Sequence, residues 1–205
     1  MDGDEKMTDL IDPIGEKDRL TEDYLQKPGC GGTSEEKEHF SAVAPYPPVM
    51  VEEENLHYAQ LLAVNLASPK SELTSVLQYI YQDWFFTPQY KEVARIIKKI
   101  AIVEMHHMDI LGRLIVLLDG NPTYCAVTDN RFHIWNGNMV TYSNMVCLAL
   151  TDNICLEEAA IASYKEHAAQ INDHYIVDVL NRIIEDEQVH LQIFHKMLND
   201  LNAVK

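Results

Sequence analysis

Two Glu-x-x-His pairs set inside apolar helical stripes constrain this chain more than any other feature. Glu104/His107 lies among Ile97, Ile100 and Leu111, and Glu187/His190 among Ile183, Ile184, Leu191 and Phe194. The spacing places a carboxylate and an imidazole one helical turn apart on one face, where both can reach the same ion. Because that face is otherwise apolar, it turns toward the core. An unpartnered carboxylate there would face a desolvation cost of several kcal/mol or would take up a proton. Two further instances are read as solvated. Glu36/His39 falls in a proline-broken stretch, and Glu54/His57 in the first turn of a helix, where glutamates serve the helix dipole and exposed N–H groups.

Glutamates on two other segments complete a repeat. Tyr79 follows Glu72 by seven residues and Tyr164 follows Glu157 by seven, two helical turns on one face. Glu157 falls on the stripe Leu150, Ile154, Ile161, Tyr164, whereas Glu158 is rotated by about 100° toward solvent. The order Glu/Tyr then Glu/His therefore occurs twice. Glu104 follows Glu72 by 32 residues and Glu187 follows Glu157 by 30, so paired ligands fall at similar heights. The expected metal ligands are Glu72, Glu104, His107, Glu157, Glu187 and His190, around a pseudo-twofold site. Two divalent ions would cancel the four carboxylate charges, and oxygen plus imidazole suits manganese or iron better than a thiolate-preferring metal. The alternative is a buried network in which these groups pair only with one another. Six residues on four apolar stripes in a repeated order favour the metal reading. Tyr79 and Tyr164 are candidate catalytic residues as hydrogen-bond partners behind the ligands, with ordinary packing as the alternative. His106, His133, His167, His174 and His195 are read as non-ligands; His133, Trp135 and Asn136 in the connection are candidates for shaping access to the site, with anchoring of the connection as the alternative.

These residues sit on an all-α plan. Residues 1–52 are acidic and broken by Pro13, Pro28, Pro45, Pro47 and Pro48, and read as a mobile N-terminal arm. The alternative is that Tyr46 to Val51 strap onto the bundle or a neighbouring subunit. Residues 53–203 read as one antiparallel four-helix bundle. The first helix, 53 to about 84, is expected to kink at Pro69. Thr87-Pro88 reads as the N-cap and first position of the second, which runs to Gly120. Residues 120 to about 140 read as irregular, the third helix runs from near Ser143 to about 170, and Asn172 or Asp173 caps the fourth. Short first and last connections make two helical hairpins. Twenty extended residues reach up to about 66 Å against roughly 45 Å for a thirty-residue helix, so the middle connection can cross the whole bundle.

The formal charge of −16 disfavours nucleic acid and anionic membrane surfaces as partners. No apolar run approaches the length of a membrane span, and the acidic start lacks the features of a secretory signal, so a cytoplasmic location is expected. Cys30, Cys125, Cys147 and Cys155 form no C-x-x-C pair and read as free thiols.

With one glutamate on the first and third helices and Glu-x-x-His on the second and fourth, the chain resembles the ferritin-like superfamily over about residues 53 to 203. The segments SELTSVLQYIYQ (71–82), EEAAIASY (157–164) and IIEDEQVHLQIF (183–194) look most like its manganese catalase and rubrerythrin branches. The resemblance implies a dinuclear manganese or iron oxidoreductase acting on hydrogen peroxide or dioxygen, assembled as a homo-oligomer, a dimer or larger. It implies that some glutamates bridge the ions and others are terminal. Lacking the rubredoxin cysteines of rubrerythrins, a peroxidase of this kind would need an external electron donor. Iron oxidation for storage, and a structural role like that of spore-coat relatives, are the rival readings.

Overall fold

The computed structural model describes residues 39–128 and 131–203. Among them run five α-helices: α1 (Leu56–Ala67), α2 (Glu72–Phe86), α3 (Lys91–Leu117), α4 (Val146–Gln170) and α5 (His174–Ala203). α2 packs on α3 and α4 on α5, and the two hairpins meet through α2 against α4 and α3 against α5. This is the expected four-helix bundle with its long crossover between the second and third members.

Three local expectations need correction. The first helix is broken rather than kinked: α1 ends at Ala67, and Ser68 is extended (φ −111°, ψ 177°). Proline disfavours the helical region for the residue before it. The freed Ser68 carbonyl is satisfied by the hydroxyls of Ser71 at 2.7 Å and Thr74 at 2.8 Å, and the restart makes Glu72 the first residue of α2. Thr87 ends α2 instead of opening α3, because its amide and its hydroxyl both turn back to the Asp83 carbonyl, at 3.1 and 2.6 Å. α3 then begins at Lys91. The connection expected to be irregular contains an antiparallel hairpin of β1 (Cys125–Thr128) and β2 (Arg131–Ile134), with Val127 opposite Phe132. Its Ala126 is buried while Val127, Phe132 and Ile134 face outward, so the usual inward apolar alternation of a strand is missing. Asp173 is the residue that caps α5, accepting from the amides of Tyr175 and Ile176.

Buried apolar side chains form two clusters. One holds Leu73, Leu111, Leu114, Tyr164, Leu180 and Ile183 among others; the second holds Tyr79, Ile97, Ile100, Leu150, Ile154 and Phe194. Along α3, α4 and α5 the members of one cluster stop where those of the other begin. Glu104 and His107, Glu157, and Glu187 and His190 fall in those intervals. The sequence thus builds a polar layer between two apolar ones.

Residues 40–51 lie along the bundle, with Phe40 against one cluster and Tyr46, Val49 and Val51 against the other. Residues 1–38, with most of the expected arm, lie outside the described residues. No helix among the described residues is long and apolar enough to cross a membrane.

At the end of α3 the chain reverses through Asp119, with φ 61°, and the Gly120 amide returns to the Ile115 carbonyl at 2.8 Å. A Cβ on Gly120 would lie 2.7 Å from Ala59 Cβ and 2.9 Å from the Ile115 carbonyl oxygen. Backbone and a packed helix cannot both yield, so Gly120→Ala is expected to cost about 1–3 kcal/mol. Urea unfolding would read this as a lowered midpoint; an unchanged midpoint would contradict the packing described.

Candidate metal centre

The break before α2 sets Glu72 at a helix start, and the stripes of α3, α4 and α5 aim the other five predicted residues inward. All six are 3% exposed or less. His107 Nδ1 lies 3.0 Å from Glu104 Oε2, 3.1 Å from Glu187 Oε1 and 3.5 Å from Glu72 Oε2. His190 Nδ1 lies 3.0 Å from Glu104 Oε1, 3.0 Å from Glu187 Oε2 and 3.9 Å from Glu157 Oε1. Glu104 and Glu187 therefore each offer one oxygen to either histidine. The six residues form two overlapping groups, Glu72, Glu104, His107, Glu187 and Glu104, Glu157, Glu187, His190, with ligand atoms within 4.8 Å of one another in each.

This arrangement fits a pair of cations. Oε1 of Glu104 and Oε1 of Glu187 are buried and accept no hydrogen bond, an omission that buried acceptors seldom show. Burial, reinforced by the charges of Glu187 and Glu104, raises the Glu72 carboxyl well above the ordinary range. Burial with Glu104 and Glu187 does the same to Glu157. Glu104 and Glu187 are as deeply buried, yet the shared imidazoles hold both below that range. Burial alone would lower the two imidazoles. Glu104 and Glu187 instead lift His190 to about 10, and Tyr46, Glu187, Asp186 and Glu104 lift His107 in the same direction. Proton affinity is thus raised at Glu72, Glu157, His107 and His190 and lowered at Glu104 and Glu187, so the layer holds its protons unevenly.

The tyrosines pair crosswise. Tyr79 on α2 donates to Glu157 on α4, and Tyr164 on α4 donates to Glu72 on α2. Each thus orients the glutamate of the opposite hairpin, not that of its own helix. Burial above all keeps each phenol protonated and a donor.

Phe40, Arg182 and Asp186 escape the sequence reading, and Tyr46 enters it only as the start of a possible strap, without a partner in the site. Asp186 is fully buried and receives His107 Nε2 at 3.1 Å, Arg182 Nη1 at 2.5 Å and the Tyr46 hydroxyl. His190 Nε2 donates to the Phe40 carbonyl at 2.9 Å. Arg182 and Asp186 are visible as a four-residue helical pair, but a residue 140 positions away supplies the cover that buries them, and no periodicity reports that. The residues read as non-ligands stand apart. Glu54, His57 and Glu158 are exposed, as is His39, whose partner Glu36 lies outside the described residues. His106 packs edge-on against Tyr46, His167 meets Asn65 at 2.5 Å, and Trp135 donates to Thr74 at 2.9 Å. His174 meets Glu52 at 2.6 Å. Cys125, Cys147 and Cys155 are free thiols.

A family model described as a ferritin-like domain matches residues 69–204. A probable manganese catalase of Clostridium acetobutylicum is 27% identical over 169 residues, 74% of each chain. The crystal structure of KatB, a manganese catalase from Anabaena, superposes with a TM-score of 0.70 at 23% identity, over 80% of this chain and 81% of that one. A Desulfovibrio desulfuricans bacterioferritin with a diiron site gives 0.61 at 25% identity, over 72% and 81%.

Cations entering the layer would compete with the protons held there. Glu72, Glu157, His107 and His190 all hold protons above their ordinary ranges, so up to four leave as two ions enter. Raised proton affinity competes with metal more strongly as pH falls, so metal affinity is expected to drop on acidification. Titrating manganese(II) into weakly buffered protein should release acid in proportion to uptake; uptake without acid would refute this competition.

Proposed function

The chain belongs to the ferritin-like domain family, and on that premise we propose that it binds two manganese or iron ions and turns over hydrogen peroxide. The observation that carries the reading is the double presentation of Glu104 and Glu187, each with one oxygen toward either buried histidine. In this reading Glu72, Glu104, Glu187 and His107 would hold one ion, and Glu104, Glu157, Glu187 and His190 the other. When bound, the metal pair supplies the two-electron chemistry that no side chain here provides.

The protein's part is positioning. Tyr164 holds Glu72 Oε1, leaving Oε2 toward His107, and Tyr79 holds Glu157 from the opposite helix. Both act through a ligand, so they are positioning residues rather than catalytic ones. The two apolar clusters keep bulk water from the layer, which strengthens every electrostatic interaction within it. Similarity to manganese catalases supports peroxide as substrate. Oxygen release from peroxide without a donor would mark dismutation; peroxide loss only with an external reductant would mark peroxidase action.

A second reading, oxidation of iron(II) for storage, draws support from the likeness to bacterioferritin. Storage needs a closed shell of many subunits, and sedimentation that finds only dimers to hexamers would remove it.

Glu104→Gln and Glu187→Gln are each expected to reduce bound metal below two ions per chain and to abolish peroxide turnover. Glu158→Gln, on the solvent side, should leave both unchanged. Tyr79→Phe and Tyr164→Phe should retain both ions with turnover lowered roughly 10- to 100-fold. Metal analysis together with oxygen-electrode assays decides it, and a wild-type chain that holds metal but is inactive with and without a donor would end the peroxide reading.

A further inference from the structure

Both histidines of the centre turn their outer nitrogen toward the segment that precedes α1. His190 Nε2 reaches the Phe40 carbonyl at 2.9 Å, and His107 Nε2 lies 3.1 Å from Asp186 Oδ2 and 3.2 Å from the Tyr46 hydroxyl. The same segment satisfies Asp186, whose Oδ1 accepts from the Ala42 amide at 2.6 Å and whose Oδ2 accepts from Tyr46. Arg182 ties the two together. It bonds Asp186 at 2.5 Å, the Ala44 carbonyl at 2.7 Å and the Ala42 carbonyl at 2.9 Å, and its guanidinium stands 4.2 Å from the centre of the Tyr46 ring. Between these anchors the chain bulges to the surface, where Val43 is 86% exposed.

A carbonyl oxygen only accepts, so its contact with His190 holds a ring proton on Nε2, and in the neutral ring this leaves the Nδ1 lone pair for an ion among the carboxylates. Asp186 does the same for His107. In the first ring the outer partner is backbone, which means that placement of the segment, and not a side chain within the helices, selects the tautomer. Were the segment to leave, His190 would lose its outer acceptor. Asp186 would keep Arg182 and His107 but lose two of its donors.

Resting on the metal reading above, we propose that residues 40–46 are a positioning strap for the two histidines, and that its seating is thermodynamically coupled to metal binding. The seated strap presents Nδ1 of both rings as ligand atoms; bound ions, in turn, hold the rings in the orientation that the strap recognises. Coupling is reciprocal, so the factor by which the strap raises metal affinity is the factor by which metal favours the seated strap. A segment that merely covers the bundle would show neither effect.

The bulge offers a readout independent of turnover. Elastase cuts after small aliphatic residues, and cleavage at Val43–Ala44 in the full-length chain requires the strap to lift. Mass spectrometry would follow that cut with and without saturating manganese(II) or, under argon, iron(II); metal is expected to slow it at least about tenfold, on the scale of outer-partner effects. Tyr46→Phe and Ala42→Pro remove the hydroxyl and the amide that reach Asp186. Chelator competition should show each weakening metal binding by about 10- to 100-fold, while a urea midpoint checks that the bundle persists. If Ala42→Pro does not fold, Tyr46→Phe alone carries the comparison. Cleavage indifferent to metal, with wild-type affinity in Tyr46→Phe, would overturn the strap while leaving the metal centre intact. A wild-type chain that takes up neither ion would overturn both together.

Discussion

Four carboxylates and two imidazoles are buried in a layer between two apolar clusters, and the cost of keeping charge there governs the rest of the molecule. Removing one carboxylate from water costs several kcal/mol unless a counter-charge and good hydrogen bonds replace the lost solvation. Here the groups arrive in complementary sets, each histidine touching oxygens of both shared glutamates. The layer can be neutralised by protons or by two divalent cations. This makes the bundle tolerant of a feature that would otherwise unfold it, and it makes proton and metal occupancy alternatives to one another.

The crosswise tyrosines explain how two hairpins hold one site. Had each phenol served the glutamate on its own helix, these bonds would not oppose a shift of one hairpin against the other. Because Tyr79 reaches Glu157 and Tyr164 reaches Glu72, any sliding of α2 against α4 breaks both bonds at once. A second buried tie, Gln78 and Gln82 to Asn153 at 2.9 and 2.8 Å, lies on the same pair of helices. Buried polar bonds of this sort carry a steep cost when left unmade, so they fix register more sharply than the apolar contacts around them.

Much of this was legible in the sequence because it is periodic. Helical stripes identified the four inward faces, and the seven-residue Glu-to-Tyr interval chose Glu157 over Glu158. Local chemistry was harder to read. Thr87-Pro88 has the composition of a helix start, yet a threonine hydroxyl that bonds back to the Asp83 carbonyl makes it a helix end. Pro69 signalled a disturbance but not its size, which depends on the hydroxyls of Ser71 and Thr74 being placed to satisfy the Ser68 carbonyl. The β-hairpin stayed hidden because its large apolar residues face outward, opposite to the pattern that marks a strand on a core.

Asp186, and the bond that Tyr46 makes to it, are hidden for a different reason. Nothing local distinguishes Asp186 from a solvated helix residue; it is buried because a segment 140 positions earlier lies across it. Residues that a helix must carry at a fixed spacing announce themselves in sequence, whereas the groups that orient them need only be near in space. A periodic scaffold can therefore be read from its stripes down to the inner nitrogen of each histidine. The outer nitrogens belong to long-range closure, and it is at that boundary, between Nδ1 and Nε2 of the same ring, that reading by periodicity gives way to tertiary structure.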